Sequence, residues 1–237
     1  MRFSFLSPFL LILLLLACRQ PVMTSSVMIT NPSAPQSAVS YLALGDSYTI
    51  GESETAANRW PVQLAGMLRQ SGLDVGDPDI IARTGWTTGE LQDAIRVANN
   101  TKTYGLVSLL IGVNNQYRNQ SQSTYRTEFR ALLQTAIQFA GGKAGRVVVL
   151  SIPDWGQSPY AQGRDTRQIG SDIDAFNAIA ADECRQAGVA FVDITPITRQ
   201  AAGNTGQFAS DGLHYSGAQM RQWADKALPV VKQLLSR

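Results

Sequence analysis

The chain has few of the residues that build metal sites and disulfides. Among 237 residues there are two cysteines, Cys18 and Cys184, and one histidine, His214. An ordinary zinc site takes four ligands, mostly Cys and His, so such a site is excluded, while an oxygen-ligand metal stays open although no Asp-rich loop suggests one. We therefore expect no metal and no cofactor. Cys184 lies in the helix-like stretch IAADECRQAG, where the expected role is a buried structural thiol.

Strong charge of one sign is also missing. The formal net charge is +2, only 16% of the residues are charged, and no five like charges follow one another. Nucleic-acid binding needs a basic patch or stripe that the chain does not have, so no nucleic-acid partner is expected. An electrostatically driven contact with a membrane or another polyanion is not indicated either.

Three common catalytic signatures are absent. The sequence contains no Gly-x-Ser-x-Gly, the motif that would mark the nucleophile turn of an α/β-hydrolase. It also contains no Gly-x-Gly-x-x-Gly and no Walker motif, so a nucleotide-dependent enzyme is disfavoured. A serine-dependent activity therefore has to be sought in another arrangement.

The N-terminus reads as an export signal. Arg2 precedes an apolar core over 9–16, which is shorter than the roughly 20 residues of a membrane-spanning helix. The residues that end at Cys18, LLAC, resemble the lipobox of bacterial lipoproteins, whose Cys becomes a lipidated N-terminus; an ordinary signal peptide is the alternative. We expect a signal peptide over 1–17, then lipidated Cys18 and a Pro- and Ser-rich linker over 18–38. This predicts an exported protein, lipid-anchored in the bacterial cell envelope at the outer membrane.

From residue 39 onward, short apolar runs alternate with helix-like stretches. Five runs have the length of strands: VSYLALG, DIIAR, GLVSLLIG, RVVVLSI and VAFVDI. Strands separated by helices indicate a parallel sheet with helices on both faces, and continuous apolar runs fit burial on both sides. The predicted fold class is therefore α/β, with one domain over 39–237.

Ser47 lies in the stretch YLALGDSYTIGE, directly after the first predicted strand. Gly and Asp beside a Ser are ordinary turn residues, so the stretch by itself fits a turn as well as a nucleophile. A nucleophilic serine needs a base, and the only histidine, His214, stands three residues after Asp211 in ASDGLHYSGAQ. A carboxylate at that spacing can orient the ring, although Asp211 and Ser216 can also simply start the last helix.

Four short blocks carry a family resemblance. They are Gly45–Ser47, Gly85, Gly112–Asn115 and Asp211–His214, in this order and each after a predicted strand. They resemble the four blocks of the SGNH, or GDSL, hydrolases. The resemblance implies one three-layer α/β/α domain, flavodoxin-like, with a mostly five-stranded parallel sheet.

The resemblance also implies the roles of individual residues. Ser47 would be the nucleophile, His214 the base and Asp211 the residue that orients it. The amides of Ser47 and Gly85 and the side chain of Asn114 would form the oxyanion hole. One position departs from the pattern, since Asn115 stands where the family has Asp; Asn keeps the size and one acceptor oxygen, so Asn115→Asp is expected to be nearly neutral.

The implied activity is hydrolysis of carboxylic esters through an acyl-enzyme, with a small-molecule or carbohydrate ester as substrate. Short acyl groups and acetylated sugars are favoured, because aromatic residues fall in the polar loops expected near the site: Trp86, Tyr117, Tyr125, Trp155 and Tyr160. The same rings can equally pack the loops onto the sheet. A lysophospholipase or thioesterase, an O-acyltransferase using the same triad and a non-catalytic binding module stay open, as does the oligomeric state.

Overall fold

The computed structural model describes Met1 and residues 38–236, which from residue 38 onward belong to one compact unit, Gln36–Arg237. Within these residues there are five strands: β1 Tyr41–Gly45, β2 Asp79–Ala82, β3 Leu106–Leu110, β4 Val147–Leu150 and β5 Ala190–Val192. The α-helices of the same part of the chain are α1 Ser47–Ile50, α2 Trp60–Gln70, α3 Thr88–Ala98, α4 Val113–Tyr117, α5 Gln122–Phe139, α6 Thr166–Ala187, α7 Thr195–Arg199 and α8 Gly217–Leu235.

The five strands form one parallel sheet in the order β2-β1-β3-β4-β5. The inner strands β1, β3 and β4 are buried along their whole length, as their continuous apolar sequences predict. β1 lies between β2 and β3, and Gly45 at its end pairs with Ala82 and Leu110. The expected α/β fold with a five-stranded parallel sheet is confirmed.

The helices form the two outer layers. Helices α2 and α8 pack against each other, whereas α3, α5 and α6 pack in series. The chain moves from β1 to β2 in one direction across the sheet and from β2 through β5 in the other, so right-handed crossovers put α2 on one face and α3, α5 and α6 on the opposite face. The core between the layers includes Cys184, a fully buried free thiol. Burial raises the pKa of this thiol to about 12, as expected of a structural cysteine.

The topology brings the ends of the strands to one edge. In a parallel sheet with helical crossovers, ligands bind outside the carboxyl ends of the strands, and β1 and β3 are followed directly by two of the predicted blocks. Ser47 begins α1 immediately after β1, and Asn114 lies in the first turn of α4 after β3. The fold therefore assembles at one edge residues that are far apart in sequence.

The predicted signal peptide, Cys18 and nearly all of the linker fall on residues 2–37, outside the described residues. Among the helices that are described, none combines the length and the apolar character that crossing a membrane requires.

Candidate active site

A short turn after β1 presents Ser47. Asp46 is the N-cap of α1 and its carboxylate accepts a hydrogen bond of 3.0 Å from the amide of Tyr48, while Gly51 ends the helix in the left-handed conformation. Ser47 is the first helical residue, so its amide has no acceptor inside the helix. The side chain is 4% exposed and lines a cavity. The local sequence folds this way because Asp is a preferred helix N-cap.

His214 is held by Asp211 through the short turn that separates them. Oδ2 of Asp211 lies 2.7 Å from Nδ1 of the ring, and Oδ1 accepts hydrogen bonds from the amides of Leu213 and His214 at 2.8 and 2.9 Å. The Tyr48 ring contacts the His214 ring edge to face, with 5.7 Å between centroids. The carboxylate and the aromatic ring together fix the orientation of the imidazole.

Ser53 adds a contact to this pair that the sequence did not indicate. Its hydroxyl donates a hydrogen bond of 2.7 Å to Oδ2 of Asp211. Burial alone would raise the pKa of Asp211, but the hydrogen bonds from His214, Ser53 and two backbone amides outweigh it and hold the pKa well below its usual value. Asp211 therefore stays ionised and acts as a constant negative charge beside the ring. No local sequence signal links Ser53 to Asp211, which is 158 positions away.

A cavity of about 170 Å3 brings three of the predicted site residues together. Ser47, Asn114 and His214 all line it, and Asp211 lies behind His214. Its other walls come from Tyr48, Val113, Tyr117, Trp155, Tyr160 and Leu213. The cavity is small compared with the roughly 300–1,000 Å3 of typical ligand pockets, so it fits a small group rather than a whole substrate.

Asn114 has one amide hydrogen available to the cavity. Its Nδ2 donates a 2.9 Å hydrogen bond to the carbonyl of Trp86, and a primary amide carries a second N–H. Gly85 precedes Trp86 in the same loop but is not among the residues that line the cavity. Gly85 has φ +85°, so the backbone conformation requires a glycine there, and Arg118 donates to its carbonyl oxygen.

The neighbouring Asn115 belongs to a buried hydrogen-bond network. Its Oδ1 accepts from the amide of Thr88 at 3.1 Å, and its Nδ2 donates to the Thr88 hydroxyl at 2.6 Å and to Gln120. Nδ2 also lies 3.5 Å from a carboxylate oxygen of Glu128, to which the Thr88 hydroxyl donates at 2.5 Å. The network ties the start of α4 to the start of α3, and so fixes the loop that contains Gly85.

This network argues against the expectation that Asn115→Asp is nearly neutral, because the Asn115 amide makes contacts that a carboxylate cannot make. An aspartate keeps the acceptor toward Thr88 but loses both N–H donors, and it brings a second carboxylate next to Glu128. The local sequence could not show this, because Glu128 reaches the site from α5, 13 positions later.

Three of the five aromatic residues expected near the site line the cavity: Tyr117, Trp155 and Tyr160. Tyr125 does not, because it is fully buried and packs against Phe129 and Phe176 in the core. Trp86 is half-buried and packs against the core, with its carbonyl turned to Asn114. Tyr48 was missed by the sequence interpretation, although its position beside Ser47 puts it against the ring of His214.

Metal-ligating side chains do not gather in the described part of the chain: no three His, Cys, Asp or Glu residues there come together as a metal centre requires.

The fold is an α/β/α domain with a cavity at the carboxyl edge of its parallel sheet. Residues 43–222 match the sequence profile described as the GDSL-like lipase/acylhydrolase family. The chain belongs to this family, and it is an ester-hydrolysing enzyme of the SGNH, or GDSL, type. The family resemblance of the four blocks is thereby confirmed, while the roles of the individual residues stay predictions. Among curated proteins, no sequence matched.

Solved structures show the same fold at low sequence identity. TesA is 18% identical with a TM-score of 0.65, covering 82% of this chain and 99% of that one. The lipase/acylhydrolase from Enterococcus faecalis is 20% identical with a TM-score of 0.61, covering 84% and 96%. Axe2, an acetyl-xylooligosaccharide esterase from Geobacillus, is 17% identical with a TM-score of 0.61, covering 81% and 94%.

We predict that Asn115→Asp destabilises the protein and slows ester hydrolysis. Loss of buried donors costs about 1–3 kcal/mol, and a domain of this size loses about 2–4 °C in Tm per kcal/mol. The double variant Asn115→Asp/Glu128→Gln should recover most of the loss, because the glutamine removes the second carboxylate and supplies an N–H. The measurements are thermal unfolding and turnover of p-nitrophenyl acetate, with Glu128→Gln alone as the control. A neutral Asn115→Asp variant would contradict this account of the network.

A second prediction concerns Asp46, which is fully buried with no partner for Oδ2 among the described residues. Burial raises its pKa from 3.8 to about 7, and the hydrogen bond from Tyr48 only partly opposes this. Between these two pH values the unfolded chain releases the proton while the folded protein retains it, so the stability contributed by Asp46 falls as pH rises.

Asp46→Asn removes this titration but keeps the N-cap, since Asn caps helices as well as Asp. The Tm of the variant minus that of the wild type should therefore increase from about pH 4 to about pH 7 and then level off. Thermal unfolding over this pH range measures the difference. A difference that does not change with pH would show that Asp46 titrates normally in the folded protein.

Proposed function

We propose that the protein is a serine esterase that removes short acyl groups, acetyl above all, from carbohydrate esters in the bacterial cell envelope. The observation that carries the proposal is the small cavity in which Ser47, His214 and Asn114 meet, with Asp211 behind the histidine. The family supplies the reaction type, and the size and walls of the cavity support the choice of acyl group.

In the proposed reaction, Nε2 of His214 takes the proton of the Ser47 hydroxyl as Oγ attacks the ester carbonyl. The Asp211 carboxylate at Nδ1 fixes the tautomer that leaves Nε2 free to accept, and stabilises the imidazolium that forms. The tetrahedral intermediate collapses when the imidazolium protonates the leaving alcohol. Water, deprotonated by the same ring, then cleaves the acyl-enzyme and regenerates Ser47.

The negative oxygen of the intermediate needs donors that are already in place. The amide of Ser47 at the first residue of α1, the amide of Gly85 and the second N–H of Asn114 are the proposed donors. Loss of one such donor typically costs about 2.7–4 kcal/mol in the barrier. The network of Asn115, Thr88 and Glu128 supports the proposal, since it holds the Gly85 loop and the start of α4 in one arrangement.

A short acyl group is favoured by the space beside Ser47. The cavity volume is about 170 Å3, and Tyr48, Val113 and Leu213 give it an apolar side. The fold neighbour Axe2 is named as an acetyl-xylooligosaccharide esterase, which is consistent with an acetyl ester as substrate.

The proposed location follows from Cys18 and the preceding LLA, which resemble a lipobox. Residue 38 leads into the amino end of β1, whereas Ser47 follows its carboxyl end. Five residues at about 3.3 Å each separate the two ends by roughly 16 Å. The chain therefore enters the domain at the edge of the sheet opposite to the cavity.

The test is hydrolysis of p-nitrophenyl esters of increasing chain length by the wild type, Ser47→Ala and His214→Ala. Acetate should be the best substrate and long acyl chains the poorest, because the cavity limits the acyl group. Both variants should lose at least about 10³-fold in kcat with an unchanged circular dichroism spectrum, as expected when one member of a triad is removed.

Three outcomes would overturn the proposal. Activity that rises toward dodecanoate would favour a lysophospholipase or thioesterase, and transfer to an added sugar that exceeds hydrolysis would favour an acyltransferase. Turnover that survives Ser47→Ala in a folded protein would remove Ser47 from the mechanism.

A further inference from the structure

Three aromatic residues, Tyr117, Trp155 and Tyr160, form a rim beside the proposed acyl cavity. Tyr117 and Tyr160 are 44% and 42% exposed, and they are the two exposed aromatic residues in the described part of the chain. Their hydroxyl groups lie 3.0 Å apart, and Tyr117 packs edge to face on Trp155 with 5.3 Å between centroids. Exposed aromatic rings offer a flat apolar surface to a ligand.

The guanidinium of Arg164 covers the same three rings. Its Cζ lies 4.8 Å from the centroid of Tyr160, 5.4 Å from that of Trp155 and 5.8 Å from that of Tyr117. These distances are within the range of cation-π contacts. Among the described residues no carboxylate forms an ion pair with Arg164, so its N–H groups are not committed to an acidic partner.

A second cavity, of about 420 Å3, opens on the other side of the rim. Tyr117 and Trp155 line both this cavity and the one that contains Ser47, so they form a common wall. The second cavity is the larger of the two and its remaining walls are mostly polar, including Asn119, Gln168 and Asp172.

Hydrogen bonds hold the polar wall in place. Nε1 of Trp155 donates to Oε1 of Gln116 at 2.9 Å, and Nε2 of Gln116 lies 3.4 Å from Asp172. Gln168 donates to the other oxygen of Asp172 at 2.8 Å. Helix α4 contains both Gln116 and Asn114, so one short helix contributes to the second cavity and to the predicted oxyanion hole.

The charges around the second cavity decide what kind of ligand suits it. Its lining includes one positive residue, Arg164, and two negative ones, Asp165 and Asp172. A phosphate or another anion would meet more negative than positive charge, and an acyl chain would leave the polar side chains without partners. A neutral sugar fits both features, since its C–H face packs on aromatic rings while its hydroxyl groups reach carboxylate, amide and guanidinium groups.

We propose that this second cavity is the subsite for the alcohol part of the substrate, and that it binds the neutral sugar residue next to the one that carries the acyl group. The assignment rests on the proposed esterase function. It makes Arg164, Tyr117 and Asp172 specificity-determining residues. The enzyme then prefers acylated oligosaccharides to acylated monosaccharides, because only an oligosaccharide reaches across the common wall.

The test compares kcat/KM for acetylated xylobiose, acetylated xylose and p-nitrophenyl acetate. The wild type should prefer the disaccharide to the monosaccharide by about tenfold or more, the equivalent of one good polar contact. Arg164→Ala and Asp172→Asn should each remove most of this preference through a higher KM, because binding in the second cavity is the same in the ground and transition states. Arg167→Ala, an exposed arginine on α6 outside the cavity, is the matched control and should keep the preference.

Binding can be measured without turnover. Titration calorimetry of Ser47→Ala with acetylated xylobiose should give heat of binding, and adding Arg164→Ala should weaken the affinity by about tenfold. Equal kcat/KM for the two sugar esters, or an Arg164→Ala variant that retains the preference and the affinity, would overturn the subsite. Failure of the esterase proposal itself would look different, since activity would then rise toward p-nitrophenyl dodecanoate or transfer to an added sugar would exceed hydrolysis, whatever the variants at Arg164 and Asp172 show.

Discussion

The site depends on how closely the first turn of α1 packs against the end of β1. A side chain at Gly45 would place its Cβ 2.5 Å from the carbonyl oxygen of Leu110 and in collision with Thr49 of α1. Only glycine allows the helix to start directly after the strand, with Asp46 as its N-cap. Because β1 is held between β2 and β3, this contact fixes Ser47 relative to the loops that follow both neighbouring strands.

Helix α4 connects the loops that surround the cavity on the other side of Ser47. The side-chain amide of Asn114 donates a hydrogen bond to the loop after β2. Asn115 connects that loop to α5 through Glu128. Gln116 accepts a hydrogen bond from Trp155 in the loop after β4. Asn114, Asn115 and Gln116 thus connect the predicted oxyanion hole, the hydrogen-bond network behind it and the aromatic rim. A change in any of them is expected to alter both the chemistry and the binding of the alcohol part.

The parts of this protein that could be predicted from sequence are those with local signals. The apolar runs predicted the five strands, and the order of strands and helices predicted the parallel sheet. Ser47 and Asn114 were found in polar residues after predicted strands, His214 as the only histidine and Asp211 by its spacing from it, and the family resemblance joined them in one site. Each of these depends on neighbours a few positions away.

The remaining features arise from contacts between distant segments. Ser53 meets Asp211, and Glu128 meets Asn115, only after the sheet has formed. Burial, too, depends on the completed fold: Asp46 has a turn-like sequence context, yet complete burial raises its pKa to about 7. Tyr125 was expected at the site for its position in a polar segment, but α5 turns it into the core.

The most direct test of the account is covalent trapping of Ser47. A serine-directed fluorophosphonate should add one phosphonyl group per chain, and peptide mass mapping should locate it on Ser47. Labelling should be absent in Ser47→Ala and much slower in His214→Ala, since the base activates the hydroxyl. An adduct on another residue, or labelling that is unaffected by either substitution, would contradict the central claim that Ser47 is the nucleophile at the end of β1.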